Sequence, residues 1–357
     1  MTSKVLTNKE KAFLKEIRRR SKPTESNMKN FLKQDEDPEK LLKVAVWYHG
    51  GCNDGLGSAV SIAVFLKEEL DFDLDSVDFV PVGYGKPAPE VDHDFVFIVD
   101  FAYSPEDTEE LCSKNKDTWF LTVDHHETAY NKYLTYYKNN SFSDRNCFVI
   151  NANGNLAGAD LSWMILNPHI DVPDLIKDVA DRDLWKFERP SSKPMHLFLV
   201  GLRAIKEYCP VKVYYRFLTG KDSEYDEALV IGKSLLQFQK SLIREVSYPA
   251  KAGTIQMGDE KMPAIFCNCS NYSLISDTGD YILNRPDKFK IDTDKHVAIL
   301  YLFSADLKQV KLSFRSKNKQ AKVYAEFFGG GGHPNSGGAA IPKEEFDRIV
   351  ELKTNEA

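Results

Sequence analysis

Three short apolar runs in this sequence each end on side chains that bind metal ions. Residues 44–48 lead into His49-Gly50-Gly51-Cys52-Asn53-Asp54-Gly55, residues 95–99 into Asp100, and residues 119–123 into Asp124-His125-His126. Imidazole and carboxylate together suit Mn²⁺, Mg²⁺, Fe²⁺ or Zn²⁺, and tell against an all-oxygen calcium cage or a thiolate cluster. More potential ligands are present than one ion needs, which suggests two. A pair of cations about 3.5–4 Å apart activates a water and steadies an in-line displacement at phosphorus. The residues alone therefore point to phosphoester hydrolysis.

For these side chains to act together, strands must carry them to one place. Each apolar run is continuous rather than alternating, as expected of a strand covered on both faces. Helical segments separate them. Residues 57–70 form one; residues 104–113 form another, with Ser104 as N-cap, Pro105 at the first helical position and acids in the first turn. Strand–helix alternation predicts an α/β fold built on a parallel sheet with right-handed crossovers. The carboxyl ends of such strands form one crest where ligands bind, so residues distant in the chain should meet there.

The rest of the chain divides by composition. Residues 1–43 read as a charged helical N-terminal arm, 44–195 as the catalytic domain and 196–247 as a helical linker. Residues 248–357 read as a smaller α/β domain. The last holds strand candidates at 254–257, 264–267, 297–303 and 310–314, a helix candidate at 276–283 and a glycine run at 329–332.

Composition sets outer bounds. With 42% apolar and 28% charged residues, the 357-residue chain reads as globular. Its N-terminus has no apolar core of a secretory signal, and no stretch approaches the roughly 18 apolar residues of a membrane span. The 6 cysteines are scattered without a C-x-x-C pair, so a reduced, cytoplasmic chain without membrane association is expected. A net charge of −6 argues against broad duplex binding. Neither a G-x-G-x-x-G turn after a strand nor a G-x-S-x-G elbow occurs, which tells against dinucleotide-dependent redox and serine-hydrolase chemistry.

Five motifs, in order, resemble those of the DHH–DHHA1 phosphoesterase superfamily. They are residues 49–55, Val99-Asp100-Phe101, Asp124-His125-His126, Val179-Ala180-Asp181-Arg182-Asp183-Leu184-Trp185, and the pair formed by 312–316 and 329–338. That superfamily includes RecJ-type exonucleases, oligoribonucleases of very short RNAs, cyclic-dinucleotide phosphodiesterases and pyrophosphatase or polyphosphatase relatives. The resemblance implies an N-terminal DHH domain joined by a helical linker to a DHHA1 domain, with the active site in the interdomain cleft. It implies divalent ions, Mn²⁺ first, with Mg²⁺, Fe²⁺ and Zn²⁺ as alternatives. Asp100 would bridge two ions; Asp54, His125 and Asp181 would complete one site, and His49 would belong to the other. Asp124 would orient a neighbouring ligand, and His126 would contact the scissile phosphate. Asp181 is preferred to Asp183 for its place after Val179-Ala180, and a salt bridge to Arg182 is the alternative for either.

One residue departs from the pattern: many members carry Asp where this chain has Cys52. A thiol binds Mn²⁺ or Mg²⁺ less well than a carboxylate does. Either its thiolate ligates a softer ion such as Zn²⁺ or Fe²⁺, or Cys52 is a spectator and the second ion is weak or arrives with substrate; a buried apolar cysteine is the plain alternative.

Substrate binding is expected in the C-terminal domain, at Arg315, Gly330, Gly331, Gly332, His333 and Ser336. Arg315 offers a bidentate phosphate clamp. The glycine run is expected to open a helix and turn backbone N–H groups toward an anion. Residues 308–322 add Lys308, Lys311, Lys317, Lys319 and Lys322 with no acid. With no room seen for the further nucleic-acid-binding domain usual in long-strand exonucleases, a short single-stranded nucleic acid or nucleotide is the expected partner. A homodimer is one allowed assembly. The expected activity is hydrolysis of short oligonucleotides or linear dinucleotides to mononucleotides. Cyclic dinucleotides, 3′-phosphonucleotides, pyrophosphate or polyphosphate are alternative substrates, and a non-catalytic nucleotide sensor is the alternative of a different class.

Overall fold

The computed structural model describes residues 42–139, 147–205 and 209–353. The expected N-terminal arm lies outside the described residues except for its last two positions. The chain divides between Leu235 and Leu236 into two compact units.

In the first unit, β1 (Val44–His49), β2 (Val77–Val82), β3 (Phe95–Val99), β4 (Trp119–Asp124) and β5 (Cys147–Asn151) form a parallel sheet in the order β2-β1-β3-β4-β5. Successive side chains of a strand face opposite sides. Thus Val44, Val46 and Tyr48 enter one core while Ala45 and Trp47 enter the other, and both are buried. That is why the runs are apolar throughout. The strand order reverses between β1 and β3, so their carboxyl ends flank the crevice where open α/β sheets bind ligands.

The helices of this unit are α1 (Asn53–Val64), α2 (Pro105–Lys114), α3 (Glu127–Asn139), α4 (Gly158–Leu166), α5 (Asp174–Asp183), α6 (Ser192–Ala204) and α7 (Pro210–Thr219), followed by the long α8 (Asp222–Ser247). Ser104 caps α2 as expected, its side chain accepting the Asp107 N–H. The helix expected at 57–70 instead starts at Asn53, because Cys52 caps it, and its last residues, 65–69, widen into a π-helical turn. Every residue of α1 is buried. Its glycines, poor helix formers elsewhere, serve close approach: a Cβ on Gly57 would lie 2.9 Å from the Ala159 Cβ on α4. The segment expected as a linker is divided. Phe198, Leu199, Val211, Tyr214 and Ala228 pack into the core of the first unit, whereas Ile243, near the end of α8, joins a core of the second.

The second unit carries β6 (Lys251–Met257), β7 (Glu260–Asn268), α9 (Ile275–Leu283), α10 (Pro286–Phe289), β8 (Val297–Phe303), β9 (Gln309–Arg315), α11 (Ala321–Phe327), β10 (Gly331–His333), β11 (Ser336–Pro342), α12 (Lys343–Ile349) and β12 (Val350–Leu352). Its seven strands run in the order β10-β11-β9-β8-β7-β6-β12, with β7 and β8 parallel and the other pairs antiparallel. Phe266, Ile299 and Phe314 pack on one face with Tyr324 and Phe346, while Ile265, Ala298 and Leu300 pack on the other with Ile275 and Ile282.

The glycine run corrects one expectation. It does not open a helix; it forms the edge strand β10, which turns at Pro334-Asn335 and pairs with β11. The reason is steric. A Cβ on Gly330 would collide with the Gly338 carbonyl, and Gly332, at φ +147°, would collide with that of Ser336. The glycines admit a tight hairpin rather than a helix start.

Candidate metal centre

The crest of the first sheet gathers the expected residues. Asp100 follows β3 with φ +53°, a left-handed conformation that Asp and Asn tolerate better than most residues. Its N–H donates to the Val123 carbonyl at 2.8 Å, which ties it to β4. The buried carboxylate thereby lies between two histidines. Its Oδ1 is 3.1 Å from His125 Nε2 and its Oδ2 3.4 Å from His49 Nδ1. His125 Nε2 is also 3.4 Å from Asp54 Oδ2 and 3.7 Å from Asp183 Oδ2. Two sets able to hold a cation result: His49, Asp100 and His126, and Asp54, His125 and Asp183.

Asp54 is fixed from across the fold. Its two oxygens accept the N–H groups of Gly158 (2.7 Å) and Ala159 (3.0 Å) at the start of α4, where the helix dipole favours negative charge. Gly158 is required there, since a Cβ would lie 2.8 Å from the Asp100 Cβ and 2.9 Å from the Asp54 Oδ2. Gly55 is required on the other side, where a Cβ would collide with the His49 carbonyl oxygen.

Asp124 is buried behind His126. Its Oδ1 is 2.7 Å from His126 Nδ1, and its Oδ2 accepts from Asn151 Nδ2 at 3.2 Å. Asn151 also donates to the His126 carbonyl. Burial works against a charge on His126, but the hydrogen-bonded Asp124 outweighs it and raises the imidazole above its usual pKa.

These residues suit a divalent cation. Asp54, Asp100 and Asp124 are all buried, and buried carboxylates are costly without a compensating charge. Burial, then Asp100, pushes Asp54 well above the usual carboxylate pKa. Burial also opposes a charge on His125, yet Asp100 and Asp54 raise its pKa to about 10. The cluster therefore holds positive charge tightly. Asp100 Oδ1, 3.1 Å from His125 Nε2, and the other ring nitrogen of His125, Nδ1, are buried without a hydrogen bond.

Asp181 is the exception among the expected ligands. Its carboxylate is turned to the following loop, where Oδ1 accepts from Glu188 N (2.9 Å) and Oδ2 from Arg189 N (3.3 Å). Asp183, two residues on, joins the cluster instead. The helical period explains the swap, because residues two apart point to different sides of α5.

Cys52 is neither a plain core cysteine nor remote. Its Sγ accepts the Gly55 N–H at 3.2 Å as the cap of α1, and lies 3.3 Å from Asp100 Oδ2 and 3.5 Å from His49 Nδ1. Burial, then Asp100 and Asp54, pushes its thiol well above the usual pKa. It is thus a thiol that donates to Asp100.

Sequence reading missed Asn151, Gly158 and Tyr84. Tyr84 is 57% exposed, and its ring centroid is 5.7 Å from that of His49 and 6.1 Å from that of His126. The signal available for it was Gly83-Tyr84-Gly85 directly after β2, at the same crest.

In the second unit, Arg315, Ser336 and His333 fall in one row, since Arg315 pairs in register with Ser336 and Ser336 with His333. Arg315 is braced by Ser276, whose Oγ accepts from Nη2 at 2.9 Å. Gly331 and Gly332 pair with Gly338 and Gly337, and His333 is exposed.

Among the described residues no helix is long and apolar enough to cross a membrane. Residues 283–355 match the DHHA1 domain. An uncharacterized protein, R106, of Acanthamoeba polyphaga mimivirus is 25% identical over 312 residues, covering 83% of this chain and 67% of the relative. The structure of a pGpG-specific phosphodiesterase, PggH, from Vibrio cholerae aligns over 85% of this chain and 95% of its own, at 15% identity and a TM-score of 0.49. RecJ in complex with Mn²⁺ from Thermus thermophilus aligns over 85% of this chain and 50% of its own, at 11% identity and a TM-score of 0.46. With a DHHA1 domain at residues 283–355, behind a parallel-sheet unit that bears the ordered DHH motifs, the chain resembles the DHH–DHHA1 phosphoesterase superfamily.

Proposed function

We propose that this chain is a metal-dependent phosphodiesterase that hydrolyses short oligonucleotides or linear dinucleotides to mononucleotides. The observation that carries the reading is the buried Asp100 carboxylate, a member of the set with His49 and His126, whose Oδ2 lies 3.4 Å from His49 Nδ1 and whose Oδ1 lies 3.1 Å from His125 Nε2 of the second set. A pair of divalent cations there would supply Lewis acidity and an activated water for in-line attack on phosphorus. The protein's own part is positioning and charge. Asp124 holds His126 by Nδ1, leaving Nε2 as the ring nitrogen that meets a substrate oxygen. The α4 N-terminus fixes Asp54 and so keeps the carboxylates from rotating apart. Arg315, Ser336 and His333 with the β10 glycines would hold a phosphate or chain end, as their row at the sheet end and Arg315's charge suggest.

The test is a substrate panel with Mn²⁺: oligoribonucleotides of increasing length, a linear and a cyclic dinucleotide, a 3′-phosphonucleotide, pyrophosphate and polyphosphate. Turnover should be highest on the shortest linear oligomers. D100N should abolish turnover and weaken Mn²⁺ binding while leaving the fold, because Asn accepts the left-handed backbone at this position. A protein that binds Mn²⁺ yet cleaves nothing would replace the enzyme reading with a nucleotide sensor; undiminished D100N activity would overturn the assigned site.

A further inference from the structure

The loop after Asp183 is built around two aromatic residues in a conformation that bulky side chains rarely adopt. Trp185 and Phe187 have φ of +55° and +53°. The surrounding bonds over-determine this shape. Trp185 N donates to the Arg182 carbonyl (3.2 Å) and Lys186 N to the Asp181 carbonyl (3.0 Å). The Asp181 carboxylate then accepts the N–H groups of Glu188 and Arg189. Beyond it, Arg189 Nε donates to the buried Asp178 at 2.6 Å. The carboxylate expected to hold a metal is thus spent on holding this loop.

The loop displays rings and cations together. The Arg182 guanidinium lies 4.1 Å from the centroid of the Trp185 ring and 5.4 Å from that of Phe187, and Lys193 Nζ lies 3.9 Å from that of Phe187. Trp185 remains 38% exposed. Strained backbone that the surroundings enforce gathers at functional sites. This one begins two residues after Asp183, hence within about 7 Å of it along the chain. An exposed indole backed by a guanidinium, two residues from a carboxylate of the proposed phosphodiesterase centre, has the chemistry of a stacking surface for a nucleobase.

We infer that Trp185 is the platform on which a substrate base stacks, and that Asp181 is a positioning residue that holds it there. This deepens the proposed function and rests on a nucleotide substrate reaching that metal centre. The platform confers a preference for nucleotides over base-free phosphates of the same charge, without regard to base identity, because every base has a π-face.

Equilibrium binding separates this inference from the hydrolytic reading, since it needs no turnover. The full chain is loaded with Mn²⁺ and titrated calorimetrically with AMP and with ribose 5-phosphate. Wild type should prefer AMP by about tenfold or more, the size of a single base stack. The preference should fall toward unity in W185A and survive in W185F. D181N sets an amide donor against a backbone N–H; it should lose the preference while binding Mn²⁺ as wild type does. No AMP preference in wild type, or a preference that W185A leaves intact, overturns the platform. Loss of Mn²⁺ binding in folded D181N overturns the role given to Asp181. A chain that hydrolyses nothing but shows the Trp185-dependent preference would sustain the platform and overturn the hydrolase instead.

Discussion

His196 gives the site a dependence on acid that differs in sign from that of its metal-facing histidines. It lies in α6, where its Nδ1 accepts from Asn53 Nδ2 at 3.1 Å; the same amide also donates to the His196 carbonyl, and Tyr214 donates to Asn53 Oδ1 at 2.9 Å. Asn53 opens α1 and adjoins Asp54. Protonating Nδ1 would set two donors against each other. Burial, and then the guanidinium charges of Arg182 and Arg203, lower its pKa from 6.5 to about 3. Between those values the unfolded chain binds a proton that the folded chain refuses, so stability falls as pH falls through the window. Each pH unit inside it corresponds to about 1.4 kcal/mol, and the integral from pH 7 to pH 5 is about 2 kcal/mol. Urea unfolding of chelator-treated wild type and H196N at both pH values measures it. Asn keeps an acceptor near the position of Nδ1 but does not titrate. Wild type should lose about 2 kcal/mol more than H196N over this interval. Contributions from His125 and His126, whose pKa values are raised, are common to both proteins and cancel. Equal pH dependence in the two proteins would refute the half-buried neutral histidine and the anchoring of α1 that it serves.

Two further substitutions probe the carboxylate cluster. G158A places a methyl group 2.9 Å from carboxylate oxygens of both Asp54 and Asp100; it should cost about 1–3 kcal/mol of stability and about tenfold or more in Mn²⁺ affinity. Wild-type values for both in urea unfolding and Mn²⁺ titration would show that the close approach of α4 is immaterial. C52D puts a carboxylate, with hard oxygens, where the Cys52 Sγ now lies 3.3 Å from Asp100 Oδ2 and 3.5 Å from His49 Nδ1. It should tighten Mn²⁺ and shift the Mn²⁺/Zn²⁺ preference toward Mn²⁺; weaker Mn²⁺ binding in competition titration would show that the thiol is the better group there.

The elements that carry ligands were the legible ones. β1, β3 and β4 announce themselves as continuous apolar runs because the sheet is covered on both faces, and each stops at a polar residue where the crest begins. β2 and β5 are less visible: β2 contains Pro81 and exposed positions at the sheet edge, and β5 is the other edge strand. The helices that complete the site were hidden for a different reason. What α4 contributes is the pair of backbone N–H groups at Gly158 and Ala159, and backbone donors leave no residue type to read. Asp181 and Asp183 are chemically identical in sequence, and only the phase of α5 and the path of the loop after it decide which one reaches His125. The glycine run was ambiguous because glycine is compatible with anion-binding turns and tight hairpins alike.

The strand order and the conformation of one residue together account for a carboxylate that lies between two histidines. With β3 between β1 and β4, a residue just past its end has His49 on one side and His125 on the other. An extended residue there would carry its side chain up or down from the sheet; the left-handed turn at Asp100, pinned by its N–H to Val123, lays the carboxylate across the crest instead. Asp combines a ligand with tolerance of that backbone, which glycine or a longer acid does not. The same arrangement crowds Asp54, Asp100 and Asp124 into a buried space. Such a crest is intrinsically unfavourable until a cation neutralises it. Metal binding is therefore coupled to the stability of this edge of the fold, and the backbone bonds from α4 keep the carboxylates in place in the meantime.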